Sequence, residues 1–192
     1  PGAVHSRFSH SLGTMHLTTE IVRLLYTRYF SYAKKVHRNK FKRDKDFLKQ
    51  YPPIEYVVEV FRLAALLHDI GHGPLSHAFD RYYLKNYGLN HEILGKKIIV
   101  KYLFKPISKI SRSPLESLDR YINPQDVTDV LYPCDNEGNL KPGFEIWKTL
   151  LYKIIGGLCS TDKLDYLIRD SYFCGTPEFA IIDVKRLILN FM

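Results

Sequence analysis

The residues best equipped for chemistry crowd into one stretch, Leu66-Leu67-His68-Asp69-Ile70-Gly71-His72-Gly73-Pro74-Leu75-Ser76-His77. Three histidines and an aspartate fall within ten residues, directly behind an apolar run. An aspartate in the last turn of a helix faces the negative end of the helix dipole, at a cost of roughly 0.3–1 kcal/mol. A buried carboxylate without a partner costs far more. A bound divalent cation removes both penalties. One imidazole plus one carboxylate suits Fe, Mn, Zn or Ni better than Ca. A core histidine satisfied by its neighbour would produce the same pair, so His68 and Asp69 alone leave both readings open.

Three further groups carry comparable chemistry. Arg7-Phe8-Ser9-His10 offers a guanidinium fork for phosphate oxygens and another imidazole. Asn90-His91-Glu92 opens a helix: the dipole lowers the pKa of a histidine there, and a neighbouring glutamate can offset that and orient the ring. Such a pair can serve as a general acid. Asp162, Tyr166, Arg169 and Asp170 recur at i, i+4, i+7 and i+8, on one side of an otherwise apolar helix. A polar stripe of that kind is either a salt-bridged solvent face or a ligand-binding face.

These groups must be held by helices. Apolar spacing predicts a helix over residues 12–30 and a second, central and buried, over 55–69. Gly71, Gly73 and Pro74 stop the second. Short helices are expected over 75–87 and, capped by Asn90, over 91–104. Residues 105–145 are broken by five prolines; a short helix near 123–131 begins with Pro124, and a small hairpin is expected around 135–139. A long helix is predicted over 144–170, with a short one in the tail beyond Gly175.

The 192 residues suit one domain with a sizeable core. At 45% hydrophobic and 14% aromatic residues, the composition excludes a disordered chain. No apolar run reaches the roughly 18–20 residues of a membrane span, and the opening residues are not expected to be a signal peptide. It starts Pro1-Gly2-Ala3 without Met and is expected to be a fragment of a longer protein. Cys134, Cys159 and Cys174 lack CxxC spacing and fit buried thiols in a reducing intracellular compartment, cytoplasmic or nuclear. The net charge of +8 is local. Lys34, Lys35, Arg38, Lys40, Lys42, Arg43, Lys45 and Lys49 face only Asp44 and Asp46. This reads as a solvated basic loop over 33–51, or as a patch that attracts nucleic acid.

Taken together, His10, His68-Asp69 and Asp162 resemble the H…HD…D pattern of the HD-domain metal-dependent phosphohydrolases. RFSHSLGT, LLHDIGHGPLSHAFD, NHE and STDKLDYLIRD resemble the deoxynucleoside triphosphate triphosphohydrolase branch, which is dGTPase-like. The resemblance runs from residue 5 to about residue 170. It implies an all-α fold: a single HD-domain helical bundle over 1–192, with a metal site in its core and the basic segment as an insert. His10, His68, Asp69 and Asp162 would hold the divalent ion (Fe, Mn, Zn, Ni or Mg). His91, supported by Glu92, would be catalytic, with His72 beside it. Arg7, His77 and Lys163 would hold the triphosphate, and Asp80 would orient the histidines. Tyr166 and Asp170 would meet the sugar.

The implied reaction is hydrolysis of a deoxynucleoside triphosphate to deoxynucleoside and inorganic triphosphate, and the full-length protein is expected to be a homo-oligomer. The elements that read the base and bind allosteric nucleotide lie outside the matched motifs. Two other readings compete. One is an HD phosphohydrolase acting on nucleoside monophosphates, cyclic nucleotides or (p)ppGpp. The other is a non-catalytic HD scaffold that binds nucleic acid through the basic segment.

Overall fold

The computed structural model describes residues 4–43, 50–113, 117–134, 139–141, 144–176, 178 and 182–190. Among these, all regular elements are helical. In chain order they are α1 (Arg7–Val36), α2 (Arg38–Arg43), α3 (Ile54–Leu67), α4 (His77–Tyr82), α5 (His91–Ile98), α6 (Phe104–Ile107), α7 (Pro124–Leu131), α8 (Ile146–Leu151), α9 (Lys153–Gly156), α10 (Thr161–Cys174) and α11 (Val184–Leu189). A 3₁₀ turn over Leu84–Tyr87 follows α4, and a π turn over Ile99–Leu103 joins α5 to α6.

The expected all-α bundle is present, and α3 is its axis. Val57, Val60, Phe61, Ala64 and Ala65 are wholly buried on this helix. Against it pack Val22 and Tyr26 of α1, Ile99 of the π turn, Val127 of α7 and Trp147 of α8. Trp147 meets Tyr56 and Phe61 edge-on, at ring separations of 6.4 and 6.2 Å. Lys148 is buried on α8 and reaches Asp126 of α7 at 2.7 Å and Glu145 at 2.6 Å. A buried ammonium is tolerated only with such partners.

Five expectations need correction. Helix α1 begins at Arg7, where Ser6 and Ser9 form a capping box, and it runs on to Val36. Lys34 and Lys35 therefore ride on its last turn, and α2 carries residues 38–43, so the described part of the basic segment is helical rather than a loop. Residues 44–49 lie outside the described set. The helix expected over 144–170 is broken. Gly156 and Gly157 are poor helix formers, and Ser160 caps a new start by accepting from the Lys163 N–H at 3.3 Å. The helix expected from residue 75 starts at His77, because Leu75 and Ser76 adopt positive φ (63° and 53°). The three cysteines are free, as expected, but exposed rather than buried.

Other expectations hold. Asn90 and Asn123 cap α5 and α7 through their side chains, with Pro124 in the first turn. An antiparallel bridge joins Cys134 to Leu140, flanking the expected hairpin turn, most of which lies outside the described residues. No helix of the described residues is long and apolar enough to cross a membrane.

Gly71 fixes how the chain leaves α3. A Cβ there would lie 1.9 Å from the His91 carbonyl oxygen and 2.5 Å from Gly95 N. Only glycine lets this turn press against α5. Gly71→Ala should therefore destabilise by about 1–3 kcal/mol, as overpacking does. In thermal melts followed by circular dichroism, that is a fall of about 2–4 °C per kcal/mol for a chain this size. An unchanged melting temperature would contradict the close approach.

Candidate active site

Three helix ends deliver the charged groups. The capping box at Ser6 puts Arg7 in the first turn of α1 and His10 one turn further in, buried. His68 is the C-cap of α3, with Asp69 next in the chain. The break before α10 puts Asp162 in a helical first turn, where the dipole favours a carboxylate. Asp69 sits at the opposite kind of terminus. Its compensation is Arg7, which donates to its Oδ2.

Asp162 Oδ1 is the meeting point, 3.1 Å from His10 Nε2 and 3.5 Å from His68 Nε2. Asp69 Oδ1 lies 3.4 Å from His68 Nε2. One ligand-capable atom from each of His10, His68 and Asp69 falls within 4.8 Å of the others. His68 Nδ1 is 2.7 Å from the Ala65 carbonyl oxygen, an acceptor that requires the N–H at Nδ1. In the neutral ring Nε2 then carries the lone pair, and it is buried with no hydrogen-bond partner. Burial lowers the pKa of this ring, but Asp162 and Asp69 outweigh that and raise it. An orphaned imidazole lone pair between two carboxylates fits a divalent transition metal, and the donor chemistry agrees.

Protons would compete for that place. Burial pulls the His10 pKa down, but hydrogen bonds to Asp162 and Asp165 outweigh it and push the value up to about 9. Burial lifts Asp162, yet His10 and His68 hold it far below the usual carboxylate range.

A second group adjoins the first through His72, whose Nε2 lies 3.6 Å from Asp69 Oδ1. His72 and His91 stack nearly parallel, 4.0 Å between centroids and 11° between planes. His77 meets both edge-on, at 5.0 and 5.3 Å. Asp80 accepts from His91 Nδ1 and, at 3.3 Å, from its backbone N–H. The atoms of this group are close enough for a metal. Stacked parallel rings, however, aim their in-plane lone pairs side by side, and Asp80 already takes one nitrogen. Burial and the charge of His91 lower the His72 pKa, against the pull of Asp69, so His72 favours its neutral form. Asp80 is lifted by burial, but its hydrogen bonds from His91 hold it below its ordinary value.

Both groups line one open cleft of about 1040 Å³. Arg7, His10, His68, Asp69, His72, His77, His91, Glu92, Asp162, Lys163, Tyr166 and Asp170 all reach it. Asp80 stands behind His91 instead. Glu92 is exposed at the rim, and the contact that orients the His91 ring comes from Asp80. Arg169, on the stripe that read as either salt-bridged or ligand-binding, is salt-bridged to Asp165. Three residues escaped the sequence reading. His5 lines the cleft and pairs with Asp170 at 2.9 Å. Tyr132 lines it with a buried hydroxyl that has no hydrogen-bond partner. Asp165 is buried against His10. A carboxylate beside Leu164 in an apolar helix was the available signal for Asp165; the positions of His5 and Tyr132 gave none.

Comparison with known proteins identifies the family. The HD-domain family pattern matches residues 7–133. An uncharacterized protein of Mycoplasma pneumoniae is 32% identical over 98% of the chain, which covers 36% of that relative. An uncharacterized protein of Methanocaldococcus jannaschii is 31% identical over 98% of the chain and 28% of the relative. The Dictyostelium discoideum deoxynucleoside triphosphate triphosphohydrolase SAMHD1 homolog is 28% identical over 98% of the chain and 30% of its own length. The chain thus spans about a third of the length of the curated relatives it matches.

Metal uptake should be linked to proton release. Below pH 9 the metal-free site keeps His10 as imidazolium, and a ligand must be neutral. Calorimetric titration with Mn²⁺ should show at least about one proton released per ion at pH 7.5 and affinity rising at least about tenfold per pH unit between 7 and 9. Affinity independent of pH over that window would contradict the competition.

Proposed function

The chain belongs to the HD-domain family of phosphohydrolases, and from that premise we propose that it hydrolyses deoxynucleoside triphosphates to deoxynucleoside and inorganic triphosphate. The observation that carries the reading is the joining, in one cleft, of a His₂Asp₂ cluster, a separate three-imidazole group and the Lys163, Tyr166, Asp170 side of α10. The 28% identity to a protein named deoxynucleoside triphosphate triphosphohydrolase supports the choice of substrate.

His10, His68, Asp69 and Asp162 would hold the divalent ion. When bound, such an ion supplies Lewis-acid chemistry and an activated water. The remaining steps belong to side chains of the chain itself. Arg7 and Lys163 are cationic groups at the cleft that would bind and orient the phosphate oxygens. His72 and His77 would add hydrogen-bond donors and help offset charge that develops at the α-phosphorus. Attack by water at that phosphorus breaks its bond to the sugar 5′-oxygen. His91 would give the departing oxygen its proton from Nε2, because Asp80 holds Nδ1. Tyr166 and Asp170 would position the sugar, with His5 fixing the Asp170 carboxylate.

Product analysis of the purified full-length protein with Mn²⁺ and dGTP tests the reaction. Deoxyguanosine and triphosphate are expected. Pyrophosphate with the monophosphate, or no turnover of any deoxynucleoside triphosphate, would refute it. A second measurement tests the division of labour: His72→Ala should cut turnover by about 10²–10⁴-fold, the usual worth of a group in proton transfer or charge stabilisation, with metal content unchanged. Loss of metal in parallel with turnover would place His72 in the metal cluster instead.

A further inference from the structure

The back of His10 is as specifically built as its front. Its Nδ1 lies 2.8 Å from Asp165 Oδ2, and both residues are buried. Arg169, one turn on along α10, grips the same carboxylate with two bonds of 2.8 Å, Nε to Oδ2 and Nη2 to Oδ1. Asp165 is not a fourth or fifth ligand. It faces the ring nitrogen opposite Asp162, and its charge is already matched by the guanidinium. Room for this pair comes from Gly13 on α1. A Cβ there would stand 1.8 Å from Asp165 Oδ1 and 2.3 Å from Arg169 Nη2.

We propose that Asp165, clamped by Arg169 and admitted by Gly13, is a positioning residue that holds the proton of neutral His10 on Nδ1 and so presents Nε2 as the metal-binding lone pair. The inference rests on the reading that His10, His68, Asp69 and Asp162 hold the ion. A carboxylate accepting from the far nitrogen of a ligating histidine fixes its tautomer and ring orientation and raises its basicity. His68 achieves the same end through the Ala65 carbonyl. The two histidines thus reach one state by different means. The one held by a carboxylate has the more basic nitrogen, because an anion accepts more strongly than a neutral carbonyl. Arg169, bonded to both carboxylate oxygens, keeps Asp165 directed at His10. Without the fork, the carboxylate could rotate or draw a cation to the wrong side of the ring.

The test uses full-length protein titrated with Mn²⁺ and read by the electron paramagnetic resonance of the free ion. Asp165→Asn retains size but cannot give Arg169 two oxygens and His10 a third contact at once. It should weaken Mn²⁺ binding about 10–100-fold, the usual effect of losing such a support. Gly13→Ala keeps every polar group and displaces the pair, so it should weaken binding as well. In Zn²⁺-loaded protein carrying ¹⁵N-histidine, the wild type should show a slowly exchanging His10 Nδ1–H, and Asp165→Asn should lose it. A merely structural Asp165 would leave that signal in place. His68→Ala separates the two claims. If it and the wild type bind Mn²⁺ equally, the metal reading falls and the proposal with it. If His68→Ala loses the ion while both Asp165→Asn and Gly13→Ala bind like the wild type, the metal reading stands and the positioning role is overturned.

Discussion

Two imidazoles and two carboxylates meet where the start of α1, the end of α3 and the start of α10 converge, and their mutual compensation constrains the rest of the fold. Removing His10 or His68 would leave the facing carboxylates without a partner, which is costly where they are buried. Helix capping serves this meeting point. Ser6 starts α1 early enough to bring His10 inward, and Ser160 restarts the chain so that Asp162 sits at a favourable dipole end. Arg7 answers the unfavourable placement of Asp69.

The same turn that ends α3 separates two kinds of histidine. His68 stays on the helix end and looks into the carboxylates. His72, beyond Gly71, is carried onto α5 and stacks on His91. The two positive-φ residues between His72 and His77 bring the chain back so that His77 closes the second group edge-on. Such backbone conformations cost on the order of 1–3 kcal/mol each for non-glycine residues and concentrate where surroundings over-determine them. The two histidine groups thus line one cleft, an arrangement that would suit the proposed reaction, which needs both a Lewis acid and a proton donor.

Much of this was legible in the sequence. Periodicity marked α3 as central because apolar residues surround it, and burial of Val57, Phe61 and Ala64 agrees. Asn90, Asn123 and Pro124 marked their helix starts through local chemistry that tertiary packing left alone. The motifs named most of the charged residues that line the cleft, though not His5, since residue type and order survive without coordinates. What stayed hidden depends on contacts between elements distant in the chain. The break at Gly156 and Gly157 lay inside an apolar pattern that reads as continuous, and the Ser160 cap was masked by the same pattern. Arg169 shared the spacing of the ligand-facing stripe, but its long side chain reaches back along the helix to Asp165. Asp165 itself differs from a surface aspartate only by what α1 places against it, 155 positions away in sequence.

The central claim is that the ion sits between α1, α3 and α10, and that the second histidine group is kept free of it. Anomalous diffraction from crystals of the protein grown with Mn²⁺ locates the ion directly. The account predicts a single strong peak within bonding distance of His10 Nε2, His68 Nε2, Asp69 Oδ1 and Asp162 Oδ1. A strong peak among His72, His77 and His91, with none at the first position, would contradict it.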